Sequence, residues 1–216
     1  MNFELRPLHL LSILVFISLA FSGFTAYQMT QLQEEVASIQ ASQVSTSSKP
    51  VSLPTGTPEV YGEELGVKYQ DVSRENRQRA EEVIQKFSGY ETIQLSQSNK
   101  HRYVEILYEI NGGISCEYCC EARSVITKEG ESGCGCAHAA AMRGLTKYLL
   151  KNHGEEMTDR RIFTEISKWK TRFFPQQTKA KAAGLKEKSV EVTYVNLASN
   201  EYRGVSSDKG GWVGDC

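Results

Sequence analysis

Five of the six cysteines lie in one short segment between Cys116 and Cys136. They form two runs, Cys116-Glu-Tyr-Cys119-Cys120 and Cys134-Gly-Cys136, and the second run continues to His138. Thiolates and imidazoles are the donors that hold Zn²⁺, Cu(I) or an iron–sulfur unit, and a C-x-x-C turn can aim two sulfurs at one centre. The segment therefore predicts soft-metal binding or thiol chemistry.

The candidate metal ligands are the five clustered cysteines and the adjacent histidine: Cys116, Cys119, Cys120, Cys134, Cys136 and His138. One cysteine pair from each run could close a tetrahedral site, with Cys120 or His138 as a substitute ligand. The second run is C-x-C-x-H rather than C-x-x-C, which is unlike an ordinary zinc ribbon. Zn²⁺ and Cu(I) both fit such donors, and an iron–sulfur cluster is less favoured.

Disulfide chemistry is the alternative interpretation, because six cysteines can pair completely in an oxidising compartment. The cysteines would then staple the domain, or Cys116 and Cys119 would form a thiol–disulfide exchange pair. The βαβ context of thioredoxin-like folds does not precede this motif. The chain has no G-x-S-x-G, P-loop or H-E-x-x-H motif, so thiol redox chemistry is the one enzymatic activity that its motifs suggest.

The amino-terminal region resembles a membrane anchor. Residues 8–26 contain no Asp, Glu, Lys or Arg over 19 positions, about the length needed to cross roughly 30 Å of hydrocarbon. Arg6 precedes this segment and Glu34 follows it, which predicts a cytoplasmic amino terminus and a domain outside the cytoplasm. A cleaved signal peptide is the alternative. The sequence thus predicts a single-pass membrane protein.

Composition divides the chain into four parts. Residues 1–28 form the predicted anchor, and residues 29–59 a short coiled-coil-like stalk followed by a Pro/Ser/Thr linker. Apolar residues within 29–39 repeat at heptad-like spacings, which could support weak homo-oligomers. Residues 60–188 form the Cys/His-rich domain, and residues 189–216 a short strand with a flexible tail.

The central domain is predicted to be mainly helical α+β, with a short β-hairpin-like loop that brings the two cysteine runs together. Apolar periodicity predicts a helix from Ser73, a helix over 137–152, and a third that Thr158 caps and Pro175 ends. Residues 102–110 fit both a strand and a helix, and helix is slightly favoured. Glu117 and Tyr118 are predicted to be exposed turn residues.

The charge distribution bears on partners. The formal net charge of −1 argues against nucleic acid as a partner. Residues 159–188 nevertheless carry nine Lys or Arg against three acids. A solvated helical face is the expected explanation for this excess, and contact with anionic headgroups is the alternative.

Three segments together resemble an uncharacterised family of membrane-anchored archaeal and bacterial proteins. They are Cys116-Glu-Tyr-Cys119-Cys120, the Cys134-Gly-Cys136-Ala-His138 run with its following helix, and Trp169 to Pro175. The second run is also faintly similar to lipoproteins with a Pro-Cys-Tyr-Cys-Gly-Cys motif, which are suspected metal binders. The resemblance implies a shared cysteine–histidine site and supplies no substrate.

Overall fold

The computed structural model describes residues 52–118 and 122–206, and within them the chain is helical. Seven α-helices follow one another: α1 (Gly62–Leu65), α2 (Arg77–Gly89), α3 (Gln97–Val104), α4 (Ala137–Asn152), α5 (Asp159–Phe173), α6 (Pro175–Glu187) and α7 (Tyr194–Ala198). The predicted α+β class is wrong for this part of the chain, since its β pairing is limited to two isolated bridges, Ile114 with Ser199 and Ile126 with Ser132.

Helix α4 lies at the centre of the core and packs closely against α2. A Cβ atom added at Gly144 would lie 1.9 Å from the Phe87 carbonyl oxygen, so the two backbones meet where α4 has no side chain. Trp169 of α5 completes this core, with its ring 4.9 Å from that of Phe87. Both aromatic side chains are buried, and such burial contributes a large share of core stability.

Residues 97–110 are helical, because the helical period rather than the strand period decides which of their side chains are buried. Helix α3 continues as a π-helical turn over Glu105–Glu109 and a 3₁₀ turn over Ile110–Gly112. Tyr103, Ile106 and Leu107 face the core. The slight preference for a helix in this region is confirmed.

A sharp reversal then delivers the first cysteine run. Asn111, Gly112 and Gly113 all have positive φ, which glycine adopts at little cost. At Gly113 a Cβ would also lie 2.7 Å from the Leu107 and Tyr108 carbonyl oxygens. The chain therefore folds back, and the Ile114 N–H donates to the Leu107 carbonyl at 3.0 Å.

The carboxyl-terminal part of the domain differs from the sequence expectation. Pro175 begins α6 instead of only ending α5, because proline fits the first turn of a helix. The strand predicted near residues 190–194 is absent from the described chain. Instead, Thr193 caps α7, whose Leu197 and Ala198 are buried. A local cap and two buried side chains outweigh the alternation that favoured a strand.

The predicted anchor at residues 8–26 and the predicted stalk over 29–39 lie outside the described residues. Among the helices of 52–118 and 122–206, none has the length and apolar character to cross a membrane. The prediction of a single-pass membrane protein with an external domain rested on residues 8–26, and no helix of the described residues supports it.

Candidate metal centre

Three cysteines from the two runs meet beside the amino end of α4. The sulfurs of Cys116, Cys134 and Cys136 all lie within 4.8 Å of one another. Cys116 and Cys134 are buried, whereas Cys136 is half-buried. Cys119 and Cys120 lie outside the described residues, so their predicted role as ligands stays a prediction.

Backbone pairing explains why the second run returns to the first. The Val125 N–H donates to the Ile114 carbonyl at 2.8 Å, and the Gly133 N–H donates to the Val125 carbonyl at 3.0 Å. Between these contacts the chain makes a tight excursion closed by the Ile126–Ser132 bridge. Buried Arg143 of α4 holds the second cysteine run in place, because its guanidinium donates a hydrogen bond to the Cys134 carbonyl at 2.7 Å.

Cys136 occupies the N-cap position of α4, where Ser, Thr, Asp or Asn is usual. Its Sγ accepts a hydrogen bond from the Ala139 N–H at 3.4 Å and lies 2.9 Å from Sγ of Cys116. The hydrogen bond from Cys116, with further ones from His138 and Ala139, lowers the pKa of Cys136 to about 4, although burial opposes this. The thiolate form of Cys136 is therefore favoured.

Cys116 has the opposite character. Its hydrogen bond to Cys136, followed by burial, raises the pKa of the Cys116 thiol well above its ordinary value, although the positive charges of Lys170 and Arg143 act against this. The two opposite shifts favour a Cys136 thiolate that accepts a hydrogen bond from the Cys116 thiol. Both cysteines are free of disulfides.

Cys134 differs from the other two because it is disulfide-bonded. A sulfur in a disulfide is not an anionic ligand, since the thiolate is the form that binds metals. The three-sulfur group can therefore bind a metal ion with all its members only after Cys134 has been reduced.

His138 does not join the group of three sulfurs. It contributes to the lowered pKa of Cys136, and its ring packs against those of Phe173 and Phe174, with centroids 5.1 and 4.8 Å away. Met142, one turn further along α4, is buried in the core. His138 is thus placed to orient or supplement Cys136.

Sequence reasoning missed a buried ionic cluster behind Cys116. Glu117 is only 4 % exposed, and its carboxylate accepts hydrogen bonds from Lys170 at 3.1 Å and Lys181 at 3.0 Å. The backbone N–H of Gly204 donates to the same carboxylate at 2.8 Å. The prediction that Glu117 is an exposed turn residue is wrong.

The sequence pattern of α5 contained part of the evidence for this buried cluster. Lys170 lies four residues after Ile166 and three before Phe173, so helical spacing places it on the apolar face of α5. Burial lowers the pKa of Lys170 to about 8, with Glu117 opposing the shift. The expectation that the basic region 159–188 is a solvated face fails for Lys170 and Lys181, which are both buried.

Fold and site together define a helical domain with a buried three-cysteine group at a helix amino terminus, a group that could hold a metal ion. No model of a known protein family matches the chain, and no curated protein or solved structure is similar to it.

Proposed function

We propose that this protein binds one soft metal ion, Zn²⁺ or Cu(I), through Cys116, Cys134 and Cys136 once Cys134 is reduced. The observation that carries the proposal is the convergence of three cysteine sulfurs within 4.8 Å. In a tetrahedral site with Zn–S bonds of about 2.3 Å, neighbouring sulfurs would be about 3.8 Å apart. Small side-chain adjustments would bring the three sulfurs to this spacing.

The chemistry of the donors also supports a soft metal. Three thiolates suit Zn²⁺ and Cu(I) and suit Mg²⁺ or Ca²⁺ poorly. The lowered pKa of Cys136 favours the thiolate that binds metal, whereas the raised pKa of Cys116 means that its proton must be lost on binding, so uptake of metal releases protons. The His138 imidazole, two residues after Cys136 at the start of α4, would serve either as a fourth ligand or as the group that orients the Cys136 sulfur.

The test is to reduce the full-length protein without oxygen and measure bound metal by elemental analysis, with affinity from competition with a chelator. The decisive variant is Cys136→Ser, because serine is a good N-cap and retains the hydrogen bond to Ala139 while it removes the sulfur. We expect near-stoichiometric metal in the parent and at least about tenfold weaker binding in Cys136→Ser.

Two single histidine variants complete this experiment. His138→Ala should also weaken metal binding by about tenfold, whereas His153→Ala should retain the parent affinity, because His153 contacts Glu64 and Glu156 and none of the three described cysteines. If the reduced parent protein binds neither Zn²⁺ nor Cu(I), the proposed function is wrong.

Thiol–disulfide exchange is the second candidate function, favoured by the 2.9 Å separation of two free cysteine sulfurs. The Cys136 thiolate would attack a substrate disulfide and release one substrate thiolate, which takes the Cys116 proton. Cys116 would then attack the mixed disulfide, forming the Cys116–Cys136 bond and releasing the second substrate thiolate, which takes a proton from water. Two electrons thereby pass from the protein to the substrate.

The exchange reaction has its own signature. Cys116→Ser should accumulate a mixed disulfide between Cys136 and a small aromatic disulfide, detected as added mass. Cys136→Ser should form no such adduct at this site. If Cys116→Ser releases its adduct as fast as the parent protein does, Cys116 does not resolve the mixed disulfide and this second function is excluded.

A further inference from the structure

A large groove opens beside the cysteine group. It has a volume of about 1020 Å³ and is lined by α2, by the end of α5 and the start of α6, and by His138 of α4. His138 connects the two features, because it lines the groove and lies in the first turn of α4, two residues after Cys136. A ligand in the groove would therefore approach the half-buried member of the cysteine group.

The charges along this groove have one prevailing sign. Three arginines line it, Arg74, Arg77 and Arg172, against the single acidic residue Glu81. Arg74 and Arg77 are exposed. Within the described part of the chain, neither arginine forms an ion pair. The groove thus presents cationic groups that are available to an anionic ligand.

The groove also has apolar walls. Ile84 of α2 and Phe173 of α5 line it and are partly buried against the core. The Arg172 guanidinium is held in position, because its Nε donates to the Tyr69 carbonyl at 2.8 Å. Cationic groups beside apolar walls complement a ligand that carries both carboxylates and apolar side chains.

We propose that this groove binds an extended acidic segment of a partner protein, and that it presents a cysteine or metal ligand of that segment to Cys136. The inference deepens the proposed function and rests on it. The volume is at the upper end of the range of small-molecule pockets, about 300–1,000 Å³. Arg77 begins α2, Arg74 lies just before it and Arg172 is on α5, so the charges come from two parts of the fold, which suits a chain with several carboxylates better than a single small anion.

The test uses the reduced full-length protein and a fluorescent peptide in which glutamate alternates with leucine around a central serine. Serine replaces cysteine so that binding is measured without thiol chemistry. We expect saturable binding, followed by fluorescence anisotropy, that weakens as salt rises, because ion pairs at an exposed groove are screened. A matched peptide with lysine in place of glutamate should not bind.

Charge reversal locates the binding. The double variant Arg74→Glu/Arg77→Glu should weaken peptide binding more than tenfold while its metal content stays at the parent level. Arg160→Glu/Arg161→Glu is the control, because it makes the same change of net charge at the start of α5, outside the groove, and should bind the peptide normally.

The outcomes separate the two proposals. Peptide binding without metal binding would reject the metal function and retain the groove. Equal binding of the glutamate and lysine peptides, or unchanged binding in Arg74→Glu/Arg77→Glu, would overturn the groove proposal. Self-association that blocks the peptide and disappears in the same double variant would overturn it as well, in favour of a second copy of the chain.

Discussion

At the scale of single residues, Glu117 connects the segment that carries Cys116 to distant helices through buried ion pairs. It follows Cys116 directly and has a φ of +63°, which is uncommon for a residue other than glycine. Lys170 of α5, Lys181 of α6 and the Gly204 backbone hold its carboxylate. This unusual backbone conformation is thus maintained by charges from distant parts of the chain.

We expect Glu117→Gln to destabilise the protein far more than Lys170→Met. The first change leaves two buried ammonium groups without their carboxylate, which costs about 3–5 kcal/mol. The second removes one of the two lysines and leaves Lys181 paired with Glu117, so its cost should be much smaller. Chemical denaturation of both variants measures the difference, and equal losses would contradict the cluster.

Lys170 should also give stability a characteristic pH dependence. Burial lowers its pKa from 10.5 to about 8 in the folded protein. Between these pH values the unfolded chain binds the proton and the folded chain does not, so the contribution of Lys170 to stability increases as the pH rises. Below about pH 8 both states are protonated, and the folded state carries the full cost of the buried charge.

This dependence is measured as the difference in unfolding free energy between the parent protein and Lys170→Met from pH 7.5 to 9.5, a range of about two units around the folded pKa. The difference should shift in favour of the parent as the pH rises. A difference that is constant over this range would mean that the pKa of Lys170 is not lowered by folding.

At the scale of helices, the contact between α2 and α4 determines where the cysteine group can form. Gly144 allows the α4 backbone to approach the Phe87 carbonyl, and Cys136 begins the same helix. Moving α4 away from α2 would therefore displace the N-cap sulfur from Cys116. The packing of these two helices and the geometry of the site are linked through one rigid element.

We expect Gly144→Ala to cost at least about 2 kcal/mol in unfolding free energy, because a methyl group there meets backbone that cannot rotate away. Gly89→Ala is the matched control: it lies at the end of α2, and a Cβ there has no atom within 4 Å. It should be neutral or slightly stabilising. Similar losses in both variants would show that the close approach does not limit α4.

At the scale of the whole molecule, the redox state of Cys134 determines which chemistry the site can perform. While Cys134 is disulfide-bonded, its sulfur is withheld from the group, and Cys116 and Cys136 remain as a thiol pair. Reduction would complete the set of three sulfurs. Metal binding and disulfide formation are therefore expected to exclude each other.

The melting temperature should report this exclusion. A metal that binds the folded state stabilises it, so Zn²⁺ should raise the melting temperature of the reduced protein and have little effect while the Cys134 disulfide is intact. Differential scanning calorimetry on both forms tests this. An equal increase in the two forms would place metal binding elsewhere on the chain.

Local patterns in the sequence were sufficient for several elements. The bounds of α4 and the cap of α5 at Thr158 were predicted correctly, because apolar periodicity and capping depend on residues only a few positions apart. The concentration of cysteines likewise indicated the site before its geometry was known.

The tertiary structure decided which of these groups meet. Cys116 contacts Cys136, 20 residues later, and Glu117 meets Lys170 and Lys181, which are 53 and 64 residues away. No short-range pattern encodes such contacts, since they depend on how helices pack. The sequence by itself determined several of the helices and the presence of soft donors, whereas packing determined which sulfurs meet and which charges lie behind them.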